Sequence, residues 1–202
     1  GFTAMPGVLA RDIKVMAIAS VTSGVAPYSI LVRNDLAAQI RSVKDLKGRS
    51  IGLPLGSPSS KTVLQLLTEL WLDAYGLKRH EVRWVPAGMN LDGMRGALAS
   101  GAVDAVFCEE ALAGTLVRKK IGTQLVSLSD PNYPAHVVGR KHLRAVIAST
   151  PEQMAADPQR AERMVRMLQR SLDWMRRNAP EIVVARLGLP DKDLARDLAA
   201  TM

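Results

Sequence analysis

The chain has 202 residues, enough to bury a substantial core as one large domain or two modest ones. Hydrophobic residues at 48% and charged residues at 23% are ordinary for a globular protein, while only 4% aromatic residues argue against stacking platforms for sugars or single-stranded nucleic acid. The net charge of +8 points to anions, but the basic residues are scattered rather than gathered in a stripe, so nucleic acid is not expected as a partner.

The opening GFTAMPGVLARD reads as a loop followed by a short helical piece. IKVMAIAS (13–20) and YSILVR (28–33) are short β-rich runs, bridged by the turn chemistry of VTSGVAP. In SVKDLKG (42–48), Ser42 caps a one-to-two-turn helix, Asp45 sits in its first turn and Gly48 ends it. A strand over 50–53 then runs through a hydroxyl-rich turn into a helix from about 59 to 75. Val63, Leu67, Leu70 and Ala74, with Leu64 and Trp71, form the helix's wide apolar face.

EVRWVPAG is a strand ending in a glycine turn, and NLDGMRGALASG a helix with Leu91, Met94 and Leu98 on one face. DAVF is a very short strand before the helix CEEALAGTLVRKK, and TQLVSLS and AHVVGR are strands on either side of DPNYP. From Thr150 onward the pattern is helical, with prolines near the first turns and an apolar stripe of Met164, Met167, Leu168, Leu172 and Met175. Alternating strands and helices joined by short loops predict an α/β architecture with mainly parallel strands.

No chemistry-bearing motif is complete. GLPLGSPSSKT lacks the glycine immediately before the lysine that a phosphate loop requires, and its glycines are four apart rather than five. His80, His136 and His142 lie in separate segments without ligand spacing, so no metal site is expected. Cys108 excludes a disulfide framework and reads as a buried thiol, and Glu109 and Glu110 suit a helix start for stability alone. Catalytic residues and cofactors are not expected. The serines at 57, 59 and 60 admit two readings: one of them caps the following helix, or hydroxyls and free N–H groups together seat an anion or polar ligand at a strand's carboxyl end. Three hydroxyls where one would cap tilt the reading toward a ligand.

SVKDLKGRSIGLPLGS and ALASGAVDAVF, in this order and at this separation, resemble the periplasmic solute-binding proteins of ABC importers for sulfonates, taurine and nitrate, a superfamily that includes binding proteins for thiamine pyrimidine precursors. The resemblance covers residues 33–107 most strongly. It implies a type II periplasmic-binding-protein-like fold of two lobes, with 1–33 part of the first lobe and hinge strand, 34–130 the second lobe, and 131–202 a return strand and C-terminal helices on the first lobe. It implies a first lobe lacking the family's opening strand and helix, with self-association through the surface this leaves.

The resemblance further implies ligand contacts from Gly56, Ser57, Ser59 and Ser60, from Gly88 and Asn90 in the AGMN turn, from Glu109, and from Met5 and Pro6 of the first lobe. The expected partners are a small anionic solute and an ABC permease, and the expected location is periplasmic or membrane-tethered outside the cytoplasm, although no basic-then-apolar leader stands at Gly1. Two alternatives compete. A LysR-type effector domain shares the architecture, but no helix-turn-helix precedes it here. A pyrimidine-precursor synthase would carry a cysteine cluster where this chain has only FCEE.

Overall fold

The computed structural model describes residues 5–21, 24, 27–57, 61–130 and 145–200. In chain order the elements begin with α1 (Met5–Leu9), β1 (Met16–Ser20), β2 (Tyr28–Arg33), β3 (Ser50–Leu53), α2 (Val63–Ala74), β4 (Arg83–Pro86) and α3 (Leu91–Ala99). They continue with β5 (Ala105–Glu109), α4 (Glu110–Arg118), β6 (Gly122–Ser127), β7 (Val146–Ser149), α5 (Pro151–Ala156), α6 (Gln159–Arg177), α7 (Pro180–Ala185) and α8 (Lys192–Ala200). These fall into two compact units, each built from two separate stretches of chain.

The first unit gathers Gly1–Val25 with Arg140–Gly188. Its β1 and β7 pair antiparallel, Met16 opposite Ser149, and α1, α5, α6 and α7 complete it. Among its described residues only Val183 and Val184 are fully buried, and the expected stripe on α6 is shallow: Met167 is 59% exposed. β7 occupies residues the sequence reading left unassigned, and the strand expected in AHVVGR lies outside the described residues.

The second unit, Ala26–Gly139 with Leu189–Met202, holds a five-stranded sheet in the order β4-β3-β5-β2-β6. β3 runs parallel to β4 and β5, and β2 lies antiparallel between β5 and β6, so four of the five strands share one direction. The mainly parallel α/β architecture is therefore present.

Both sheet faces are covered, as the near-continuous apolar strands require. On one face Ile30, Val32, Ile51, Leu53 and Phe107 pack with Trp71 and Leu72 of α2; on the other Leu31, Val106 and Cys108 pack with α3 and α4. Phe107 is stacked on Tyr28 at 5.4 Å between centroids and meets the edge of Trp71 at 5.7 Å.

Two boundaries differ from the sequence reading. β2 was expected with the first lobe and hinge, yet it sits mid-sheet in the second unit, because its buried run, apolar over residues 30–32, needs cover on both faces. Leu189–Met202 also joins the second unit: α8 packs along α4, where buried Asp197 bonds to Thr115 and Arg118. The inward face of α2 also differs. Leu64, Thr68, Trp71 and Leu72 point in, and Leu70 is 48% exposed. Thr68 is tolerated inside because its hydroxyl donates to the Leu64 carbonyl at 2.7 Å.

Candidate functional site

At one edge of the second unit's sheet the carboxyl ends of β3, β4 and β5 come together with the first turns of α2, α3 and α4. Each junction is tied locally. After β3, the Thr62 hydroxyl accepts from the Gln65 N–H at 3.1 Å and donates to the Pro54 carbonyl at 2.6 Å, so it caps α2 and closes the loop in one stroke. The cap is thus Thr62, two positions past the last of the serines expected to supply it.

After β4, the Asn90 side-chain oxygen accepts from the Gly93 N–H at 2.7 Å and caps α3. Gly88 and Gly93 approach so closely that a Cβ on Gly93 would lie 3.2 Å from the Gly88 Cα. After β5, Glu109 occupies the N-cap position of α4 and Glu110 its first helical position, where negative charge is favourable.

Glu110 anchors this edge. One of its carboxylate oxygens accepts from the hydroxyls of Ser29 at 2.9 Å, Ser129 at 3.3 Å and Ser127 at closer range. The start of β2, the end of β6 and the start of α4 are thereby held to one atom. A buried polar residue inside the run YSILVR was the sequence signal for this knot, since Ser29 is otherwise unexplained in a strand covered on both sides.

A cavity of about 340 Å³ opens here. Met89, Asn90 and Leu91 line it from the turn and the start of α3, and Cys108 and Glu109 from the end of β5. Leu112 of α4, Leu64 of α2 and Leu194 of α8 complete the apolar wall. No lysine, arginine or histidine is among the described residues that line it. Burial, reinforced by the charges of Glu110 and Glu109, pushes the Cys108 thiol well above its ordinary pKa, so it is a packing group rather than a nucleophile.

Of the expected contact residues, Asn90 and Glu109 meet on this cavity. Gly56, Ser57 and Gly88 are exposed on the turns beside the same edge without lining it. Ser59 and Ser60 lie outside the described residues, as do His136 and His142. Met5 and Pro6 are in α1 of the first unit, Met5 half-buried; the Pro6 side chain lies outside what is described. Sequence reasoning missed Leu64, Met94, Leu112 and Leu194 as cavity walls, because an apolar residue carries no local mark of facing a void rather than a neighbour.

No group of three or more histidine, cysteine, aspartate or glutamate side chains arranged to hold a metal occurs among the described residues, and no described helix is long and apolar enough to cross a membrane. Residues 1–182 match the family model described as NMT1/THI5 like. No curated protein sequence matches significantly.

Among solved structures the chain is similar to a protein of Bordetella bronchiseptica RB50 (18% identity, TM-score 0.70, 96% of this chain and 59% of the other). It is also similar to the alkanesulfonate-binding protein SsuA of Xanthomonas axonopodis pv. citri (21%, 0.63, 94% and 61%). A third is the periplasmic nitrate-binding protein NrtA of Synechocystis PCC 6803 (11%, 0.63, 93% and 50%). The chain thus spans 50–61% of these proteins' lengths. The chain belongs to the NMT1/THI5-like family and has the α/β fold of periplasmic binding proteins.

Proposed function

We propose that the chain is the solute-capturing component of an ABC-type importer. It holds a small organic or inorganic anion of the sulfonate, taurine or nitrate class without covalent chemistry, and works outside the cytoplasmic membrane with a permease as partner. The observation that carries this reading is the convergence of three strand ends, three helix starts and a cavity of about 340 Å³ at one sheet edge. Open α/β sheets bind ligands at this edge, where backbone N–H groups and helix dipoles favour negative charge. Residues 56, 57, 88 and 90 supply the turn surface on which the anionic group would rest.

A second reading, a neutral nitrogen heterocycle such as a pyrimidine precursor, draws on Glu109. A carboxylate on a largely apolar cavity wall suits a ligand that donates hydrogen bonds.

A thermal-shift panel of taurine, alkanesulfonates, nitrate and aminopyrimidines separates the two. A ligand at a hundred times its Kd adds roughly 2.7 kcal/mol of stability. A shift with sulfonates or nitrate that is lost in Ser57→Ala or Asn90→Ala supports anion capture. A shift with aminopyrimidines alone, abolished by Glu109→Gln, selects the second reading. A melt that no member moves counts against both.

A further inference from the structure

The cavity wall includes a residue from the far end of the chain. α8 enters the second unit after residue 188 and lies along α4, and Leu194 from its first turns reaches the cavity lined by Leu64, Met94 and Leu112. Asp197 stands three residues on, on the same helical face. It is 6% exposed, bonds to the Thr115 hydroxyl and pairs with Arg118, whose Nη2 donates to it at 2.6 Å and to the Asp193 carbonyl at 3.2 Å.

Asp197 packs close to the α4 backbone at Gly114, where a Cβ would stand in ordinary contact, 3.4 Å from the Asp197 carboxyl carbon. Lys119 faces Asp193 at 3.4 Å and Asp191 at 3.9 Å. A buried carboxylate held by two side chains, Thr115 and Arg118, fixes α8 in both register and rotation. Leu194 is therefore presented to the cavity in one position rather than resting loosely against it.

We propose that this cavity is the subsite for the apolar body of the solute, and that α8 sets its depth through Leu194, with Asp197 as the positioning residue. The chemistry of the walls fixes which part of the solute enters. Leu64, Met94, Leu112 and Leu194 favour an apolar group and no cation lines the cavity among the described residues, so the alkyl body enters and the anionic head group stays at the turns. The solute is then an organic anion with an alkyl or similar apolar body, and nitrate leaves the cavity unfilled. This rests on the solute-binding reading above, but the role of α8 can be tested without it.

Two measurements on the full chain decide it. Kd is measured for the n-alkanesulfonates from methane- to octanesulfonate with the parent chain, Leu194→Ala, Leu194→Trp and Asp197→Asn. In the parent, each added methylene should tighten binding about fourfold until the cavity is full. Leu194→Trp should cut the octane-to-methane selectivity at least tenfold, Leu194→Ala should move the limit to longer chains, and Asp197→Asn should blur it. Selectivity unchanged in Leu194→Trp and Leu194→Ala overturns the proposal, as does a flat profile in the parent.

Xenon binding, read by 129Xe NMR, is the second measurement. Leu194→Phe serves as a milder filling variant if Leu194→Trp fails to melt cooperatively. Should neither sulfonates nor nitrate bind, the anion reading fails by itself. Xenon uptake by the parent that is lost in the filled variant still supports α8 as the cavity wall, and uptake indifferent to residue 194 removes it.

Discussion

Gly93 and Gly96 sit three residues apart on α3 in opposite situations. A Cβ on Gly93 would stand 2.9 Å from the Asn90 side-chain oxygen and 3.2 Å from the Gly88 Cα, whereas one on Gly96 would meet nothing within 4 Å. Gly93→Ala is expected to cost about 1–3 kcal/mol by forcing the cap and turn apart, and to weaken solute binding with it. Gly96→Ala is expected to stabilise by about 0.4–1 kcal/mol, since alanine suits a helix interior and narrows the unfolded ensemble. Urea melts of the two variants check both signs. From sequence the two glycines look alike. What distinguishes them is the return of the β4–α3 turn onto the helix, a contact no local pattern announces. Asn90 was legible as a residue of the sheet end where the cavity opens, although its side-chain oxygen is engaged in capping α3. Glu109 was legible too, while its neighbour Glu110, which ties three elements together, read only as a favourable helix-start charge.

Short elements with their own capping chemistry were read most faithfully. The turn over 42–48 is a 3-10 helix, Val43–Leu46, in which Asp45 accepts from the backbone N–H groups of Arg41 at 3.0 Å and Ser42 at 2.9 Å and from the Ser42 hydroxyl at 3.0 Å. Gly48 ends it at φ +75° and donates to the Glu81 carbonyl at 2.6 Å. The N–H of Arg41, then the hydroxyl and N–H of Ser42, hold the Asp45 carboxyl below its usual range. Lys47 and the Lys78 N–H do the same for Glu81.

With folded-state pKa values depressed, the unfolded state binds more protons in acid. The stabilisation is therefore present above the ordinary carboxylate pKa near 4 and is lost as pH falls through the lower folded values. Asp45→Asn should lower the melting temperature at pH 7 and flatten its fall below about pH 4; parallel pH–Tm curves for the two proteins would refute this. α2 was harder to read: its cap is supplied by Thr62 because the loop closes on Pro54, and its buried face includes Thr68 because a hydroxyl can be satisfied within its own helix.

Across the molecule the core is unevenly shared. Nearly all fully buried side chains among the described residues, from Ile30 to Leu128, belong to the second unit. The first offers a two-stranded sheet, an arrangement marginal by itself, with Leu9, Ile13 and Met16 each more than 40% exposed. Hydrogen exchange followed by mass spectrometry should find the β3, β5 and β2 amides protected to the global limit and those of β1 and β7 exchanging through a lower-energy opening. Equal protection in both units would contradict that ranking. The α/β class and family were legible from SVKDLKGRSIGLPLGS and ALASGAVDAVF, because these runs carry turn chemistry and strand signals together. The boundary at Ala26 and the destination of α8 were not, since both depend on partners about 80 residues away in sequence: Glu109 for Tyr28, and Thr115 for Asp197.

That long-range stitching gives the order of synthesis a physical meaning. β2 emerges from the ribosome before its neighbours and acquires them only when β5 and β6 have been made, and α8 reaches α4 only after the whole first-unit insertion has been translated. At ribosomal rates of about 5–20 residues per second, the apolar strand YSILVR waits for seconds with both edges open. During that interval a holdase or an export factor has its best opportunity to capture the chain, and pairing with β5 and β6 ends it.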